Sequence, residues 1–86
     1  MTIPTIDLRN FIIHLAQGAL VGLGETEDPE TKQTSVHLPI AIYHIGVLEM
    51  LQKKTENNRS TEETELLKAL LTELHEKLAK ISAPAN

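Results

Sequence analysis

Two stretches of this chain are apolar round most of a helix. From Ile6 to Leu23, the residues Phe11, Leu15, Leu8, Ala19, Ile12, Leu23, Ala16, Leu20 and Ile13 cover an arc of about 200° at the 100° step of an α-helix. A helix on the surface of a domain needs roughly half that. Only Asp7, Asn10, His14 and Gln17, with Val21 among them, mark a polar side. From Leu38 to Lys54, Met50, Tyr43, Val47, Ile40, Leu51 and Leu48 form one broad apolar face, and Ile42, Ile45 and Leu38 form another. Helices of this kind are surrounded by protein. A chain of 86 residues has little protein to surround them with.

The remaining punctuation gives an all-α, three-helix domain over residues 1–86. The first helix spans about 6–23, with Asp7 in its first turn at the positive end of the helix dipole. Residues 24–36 are a polar loop, in which Asp28-Pro29 suits positions i and i+1 of a type I turn. The second helix spans about 38–54, and Pro39 fits only in its first turn, where a missing N–H costs nothing. Asn57 can take the left-handed conformation that closes a helix. Ser60-Thr-Glu-Glu63 reads as a capping box opening a third helix over about 61–81. That helix is an ordinary amphipathic cover, with Leu67, Leu70, Leu71, Leu74, Leu78 and Ile81 in one stripe. Glu73–Lys77 and Glu76–Lys80 are spaced as i,i+4 ion pairs on its wet side. Helices one and two read as a hairpin with helix three packed across it, and residues 82–86 as a frayed tail.

Composition narrows the function classes. Phe11 and Tyr43 are the only aromatic residues, and there is no cysteine. The core is therefore aliphatic, and neither disulfides nor thiolate zinc sites support it. Below roughly 80 residues a single core usually needs help from such staples or from association, and association is the common route left here. A net charge of −4, with Lys53-Lys54 as the longest basic cluster, disfavours a grip on nucleic acid. The start of the chain lacks the pattern of a signal peptide. No uncharged run is long enough for a membrane span. A cytoplasmic protein is expected.

Several motifs that resemble reactive sites do not carry the chemistry. Gly18, Gly22 and Gly24 precede an acidic run in GALVGLGETEDPET. A phosphate loop needs a preceding strand and, in its Walker form, a lysine after the last glycine; here a helix precedes and Glu25 stands in the lysine's place. Gly18 and Gly22, four apart, are instead spaced to let a second helix approach closely, and Gly24 suits the position just past a helix end. The acidic loop lacks the alternating oxygen ligands of a calcium loop. His14, His37, His44 and His75 lack the i,i+3 or i,i+4 ligand spacing of helical metal sites. No serine or cysteine pairs convincingly with a histidine. No catalytic residue, metal or cofactor is assigned.

One ordered set of residues is more specific. It runs from Phe11, Leu15-Ala16 and Ala19-Leu20 through Leu23-Gly24-Glu25, Asp28-Pro29-Glu30-Thr31 and Leu38-Pro39-Ile40-Ala41. It continues through Ile45, Leu48-Glu49-Met50-Leu51, Lys54-Thr55 and Asn58 to Glu63 and Leu66-Leu67. This set resembles a family of small bacterial proteins classed as a domain of unknown function, number eighteen forty-four, over about residues 11 to 75. The resemblance implies an all-helical, cytoplasmic bacterial protein and no particular activity. The chain departs from the family pattern at Gly46, where the family has aspartate, and at Asn57-Asn58-Arg59, where it has Gly-Asn-Leu. It departs again at Leu74-His75, where the family has Leu-Arg and then an aromatic residue.

The surplus apolar surface of helices one and two has two explanations: self-association, or a groove for another protein's helix. Self-association is favoured because symmetric homo-oligomers are the commonest outcome of such surfaces. The expected function is a non-enzymatic homo-oligomeric interaction or scaffold protein, with Phe11, Ile12, Ile13, Leu20, Tyr43, Val47 and Met50 as the contact surface. The alternative is a small enzyme or ligand-binding protein with a site between protomers, lined by His44, Tyr43 and Glu49.

Overall fold

The computed structural model describes residue 3 and residues 6–82, and contains three helices: α1 (Leu8–Gly22), α2 (Leu38–Lys54) and α3 (Thr61–Ser82). Of the tail expected at 82–86, Ser82 closes α3 and the rest lies outside the described residues. α1 starts two residues later than its apolar pattern suggests. Ile6 stays outside, 94% exposed, because Asp7 is the N-cap and not a first-turn residue. Its carboxylate accepts the Asn10 N–H at 2.8 Å, satisfying one of the donors that every helix start leaves open.

The other helix ends follow their local chemistry. α1 closes on Gly24 at φ +76°. The Gly24 N–H donates to Val21 O at 3.1 Å and the Glu25 N–H to Leu20 O at 3.0 Å, which is the Schellman pairing of a helix C-terminus. α3 opens with the reciprocal capping box: Glu63 N–H donates to Ser60 Oγ at 3.1 Å, and Ser60 N–H donates to Glu63 Oε1 at 2.8 Å. Asn57 is left-handed at φ 70°, two residues beyond the end of α2 at Thr55. The turn at Asp28-Pro29 is wider than a type I turn. It closes from Lys32 N–H to Asp28 O at 2.8 Å, with Asp28 N–H bound to Gln33 O at 2.9 Å and Lys32 left-handed at φ 60°.

α1 and α2 form the antiparallel hairpin, and α3 packs against both. The body is only 16 Å thick in its shortest dimension, room for the hairpin and one crossing helix but no third layer. The core is Ile12, Ala16, Ala19 and Leu23 from α1 and its cap, Ala41, Ile45 and Leu48 from α2, and Leu67, Leu71 and Leu74 from α3. Of the wide apolar arc of α1, Ile12, Ala16, Ala19 and Leu23 are fully inside, while Leu8, Leu15 and Leu20 pack at the margin. α2 differs more. Its buried line runs through Ala41, Ile45 and Leu48, so half of the broad face read from the sequence, Ile40, Tyr43 and Met50, lies outside.

Contacts beyond the core also tie the helices. Lys77 of α3 reaches Glu25 at 3.5 Å in place of its expected partner Glu73, and the Glu76–Lys80 pair does not close either. Arg59, in the second joint, donates from Nη1 to the Gln52 carbonyl and to Thr55 Oγ1, and from Nε to Thr64 Oγ1. It thereby joins the last turn of α2 to the first turn of α3.

Candidate functional site: a groove under the acidic loop

The close approach of α1 and α2 is set by two glycines. A Cβ on Gly22 would lie 2.6 Å from the Ala41 backbone nitrogen, and one on Gly18 would lie 2.4 Å from Nε2 of His44. The Gly18/Gly22 spacing thus does what the sequence suggests, and it fixes the antiparallel register: Gly22 opposite Ala41, Gly18 opposite His44. The loop returns along this seam. Leu23 and Val36 form a bridge, and the His37 N–H donates to Gly22 O at 2.7 Å.

Between the α1 side of this seam and the loop lies a groove of about 600 Å³. Its floor is Gly18, Leu20 and Val21 of α1 with Ile40 of α2. His14, Gln17 and His44 stand at its sides, and Thr26, Glu27, Asp28 and Pro29 form the rim. The rim is braced, since the Asp28 carboxylate accepts the Glu30 N–H at 2.8 Å. His44 is held twice. Its Nδ1 lies 2.8 Å from the Ile40 carbonyl; a carbonyl only accepts, so Nδ1 carries the hydrogen. Its ring also meets Tyr43 edge-on, with centroids 5.6 Å apart at 86°. The Nε2–Cδ2 edge of the ring packs over Gly18.

The expected contact residues separate into three kinds. Phe11, Tyr43 and Met50 are exposed, Tyr43 by 69%. Ile13, Leu20 and Val47 are half-buried, and Leu20 faces the groove. Ile12 is fully buried in the protomer's own core, out of reach of any second chain while this fold is kept. The cavity expected between protomers around His44, Tyr43 and Glu49 draws on residues that face different ways within one protomer. His44 lines the groove, Tyr43 points to solvent, and Glu49 lies 3.6 Å from His75 on the α3 side. His37 is the N-cap of α2, with no side-chain capping bond. Sequence reasoning missed the groove because it depends on the α1–α2 register. The signal was present in Gly18, whose missing Cβ leaves the space His44 occupies.

Among the described residues no three histidine or carboxylate groups come together to hold a metal ion, and no helix is long and apolar enough to cross a membrane. No curated protein and no solved structure gives a significant match to the chain. A family model does match, over residues 5–80, so that nearly the whole helical body is covered: the chain belongs to the family described as a domain of unknown function, DUF1844.

Proposed function

We propose that the chain is a non-enzymatic interaction protein that works as a homo-oligomer, with the outer face of α2 as its contact. One observation carries this reading. Ile42 and Tyr43, 55% and 69% exposed, and Met50, 47% exposed two turns further along the same helix, flank Gly46, where a Cβ would meet nothing within 4 Å. Scattered apolar residues on a surface need no explanation. A contiguous row that includes the chain's only tyrosine and a methionine does, since those types are enriched at interfaces. Phe11, 47% exposed, is level with the far end of this row in the antiparallel register.

The test is the solution mass by light scattering over a concentration range, for the wild type and for Tyr43→Glu. An exposed site is the better choice than Val47→Asp, because Val47 is half-buried and a charge there strains the fold as well as any contact. A dimer or larger species that Tyr43→Glu dissociates, with unchanged helical circular dichroism, supports the reading. A wild type monomeric at every concentration overturns it.

A further inference from the structure

The outer face of α2 is patterned symmetrically about Gly46. Ile42 and Met50 stand four residues to either side, Tyr43 and Glu49 three, and Pro39 and Lys53 seven, and all of them are exposed. Residues at i, i+3, i+4 and i+7 are the four that make a hole for a side chain of a facing helix. Gly46, Glu49, Met50 and Lys53 are one such set, and they line a shallow hollow of about 440 Å³ with Lys54 at its edge. The hollow is roomier than a tyrosine side chain, and Gly46 contributes no Cβ to it. Pro39, Ile42, Tyr43 and Gly46 are a second such set on the same face. Resting on the reading of α2 as the contact, we propose that two copies pair through antiparallel α2 helices about a two-fold axis beside Gly46, each Tyr43 seated in the hollow over Gly46 of the other copy.

Register and direction both follow. A Tyr43 centred in the hollow lies level with Glu49 and Met50 of the facing helix. At the same offset Met50 of that helix falls between Ile42 and Tyr43, in the second hole. One register therefore fills both holes on both copies, as an isologous contact requires. Direction is set by charge. Lys53-Lys54, the longest basic cluster of the chain, ends α2. The loop bearing Glu25, Glu27, Asp28 and Glu30 enters its other end, where Glu27 and Asp28 share a groove with Ile40. Antiparallel helices bring each lysine pair to the acidic end of the other copy and set opposite ends of the helix dipoles side by side. Parallel helices would set the two lysine pairs against each other, and the two acidic loops likewise.

The experiment reads the direction from a distance. The chain has no cysteine, so Glu56→Cys gives a single nitroxide site just past α2, exposed and outside both the contact and the Arg59 bonds. Antiparallel pairing about Gly46 puts the two labelled backbones about 30 Å apart, twice ten residues at a rise of about 1.5 Å. Parallel pairing puts them about 8–10 Å apart, the spacing of packed helices. Double electron–electron resonance on the full chain, at a concentration where light scattering shows association, is expected to give the long distance. Gly46→Phe fills the hollow, while inside the protomer a Cβ there meets nothing within 4 Å. It is expected to weaken association at least about tenfold with unchanged helical circular dichroism, whereas a single methyl at Gly46 still leaves room for the ring. Tyr43→Ala, which empties the hollow from the other side, is expected to do the same. Lys53→Glu combined with Lys54→Glu is expected to weaken association several-fold at low salt. A dimer with its labels at the short distance overturns the antiparallel arrangement and leaves α2 as the contact. A chain monomeric at every concentration overturns both. Wild-type association in Gly46→Phe or in Tyr43→Ala overturns the hollow as the seat of Tyr43.

Discussion

Alanine at two glycines of this chain should have opposite effects, and the sign at each follows from what surrounds it. At Gly22 an added Cβ would sit 2.6 Å from the Ala41 nitrogen and 3.0 Å from its Cα. These are backbone atoms of a packed helix and cannot swing aside. Ordinary contact needs about 3.4 Å, so the hairpin must open by roughly 0.8 Å at that point, and a gap of that order forfeits a quarter to a half of each neighbouring dispersion well. Overpacking of this kind costs about 1–3 kcal/mol. The gain in helix propensity on losing a glycine, at most about 1 kcal/mol, is reduced here because Gly22 is the last residue of α1. Gly22→Ala should therefore destabilise the fold by about 1–2 kcal/mol. At Gly46 nothing lies within 4 Å and the position is mid-helix, so Gly46→Ala should stabilise by about 0.5–1 kcal/mol. For a domain of this size each kcal/mol moves Tm by roughly 4–8 °C. Thermal unfolding followed at 222 nm, at one fixed protein concentration so that association does not confound it, should place the two variants on opposite sides of the wild type. A Gly22→Ala variant as stable as the wild type would refute the register in which α1 meets α2. A destabilised Gly46→Ala would mean that the outer face of α2 is already in close contact with a second chain.

Two further substitutions test the joint between α2 and α3. Arg59→Met removes the bonds to the Gln52 carbonyl, Thr55 and Thr64. It should cost about 1–3 kcal/mol, since half-buried partners lose a charged donor, with faster amide exchange at residues 51–55 and 61–64; unchanged urea stability would show that the clasp adds nothing. Ser60→Ala breaks one half of the capping box and should cost about 1 kcal/mol, read as a lower urea midpoint at constant slope; an unchanged midpoint would mean that water serves the Glu63 N–H equally well.

Much of this fold was legible in the residues, wherever the information was local. The ends of α2 and α3, the capping box of Ser60 and Glu63, the positive φ of Gly24 and the Gly18/Gly22 approach all depend on atoms a few residues apart or on the absence of a Cβ. What could not be read was direction. When a helix is apolar on two sides, as α2 is, its pattern does not say which side turns inward. The choice fell to Ala41, Ile45 and Leu48, with Ala41 inward because Gly22 lets the two backbones come closest there. Ile12 was placed on the contact surface for the same reason, and lies in the core. The groove and the Arg59 clasp join residues from different elements, and only the assembled register brings them together.

The neck of the first loop has a consequence for how this domain can vary. Leu23 and Val36 are bridged, and the His37 N–H is held by Gly22 O, so the chain is gathered at the point where it leaves and re-enters the hairpin. Residues 24–35 are a lobe tied off from the scaffold. Lengthening a flexible lobe whose ends are already fixed costs little, about 0.6 kcal/mol for each doubling. The helices need not move to accommodate it. Insertions and substitutions in this lobe can therefore change what stands over Gly18 and His44 while leaving the three-helix body as it is.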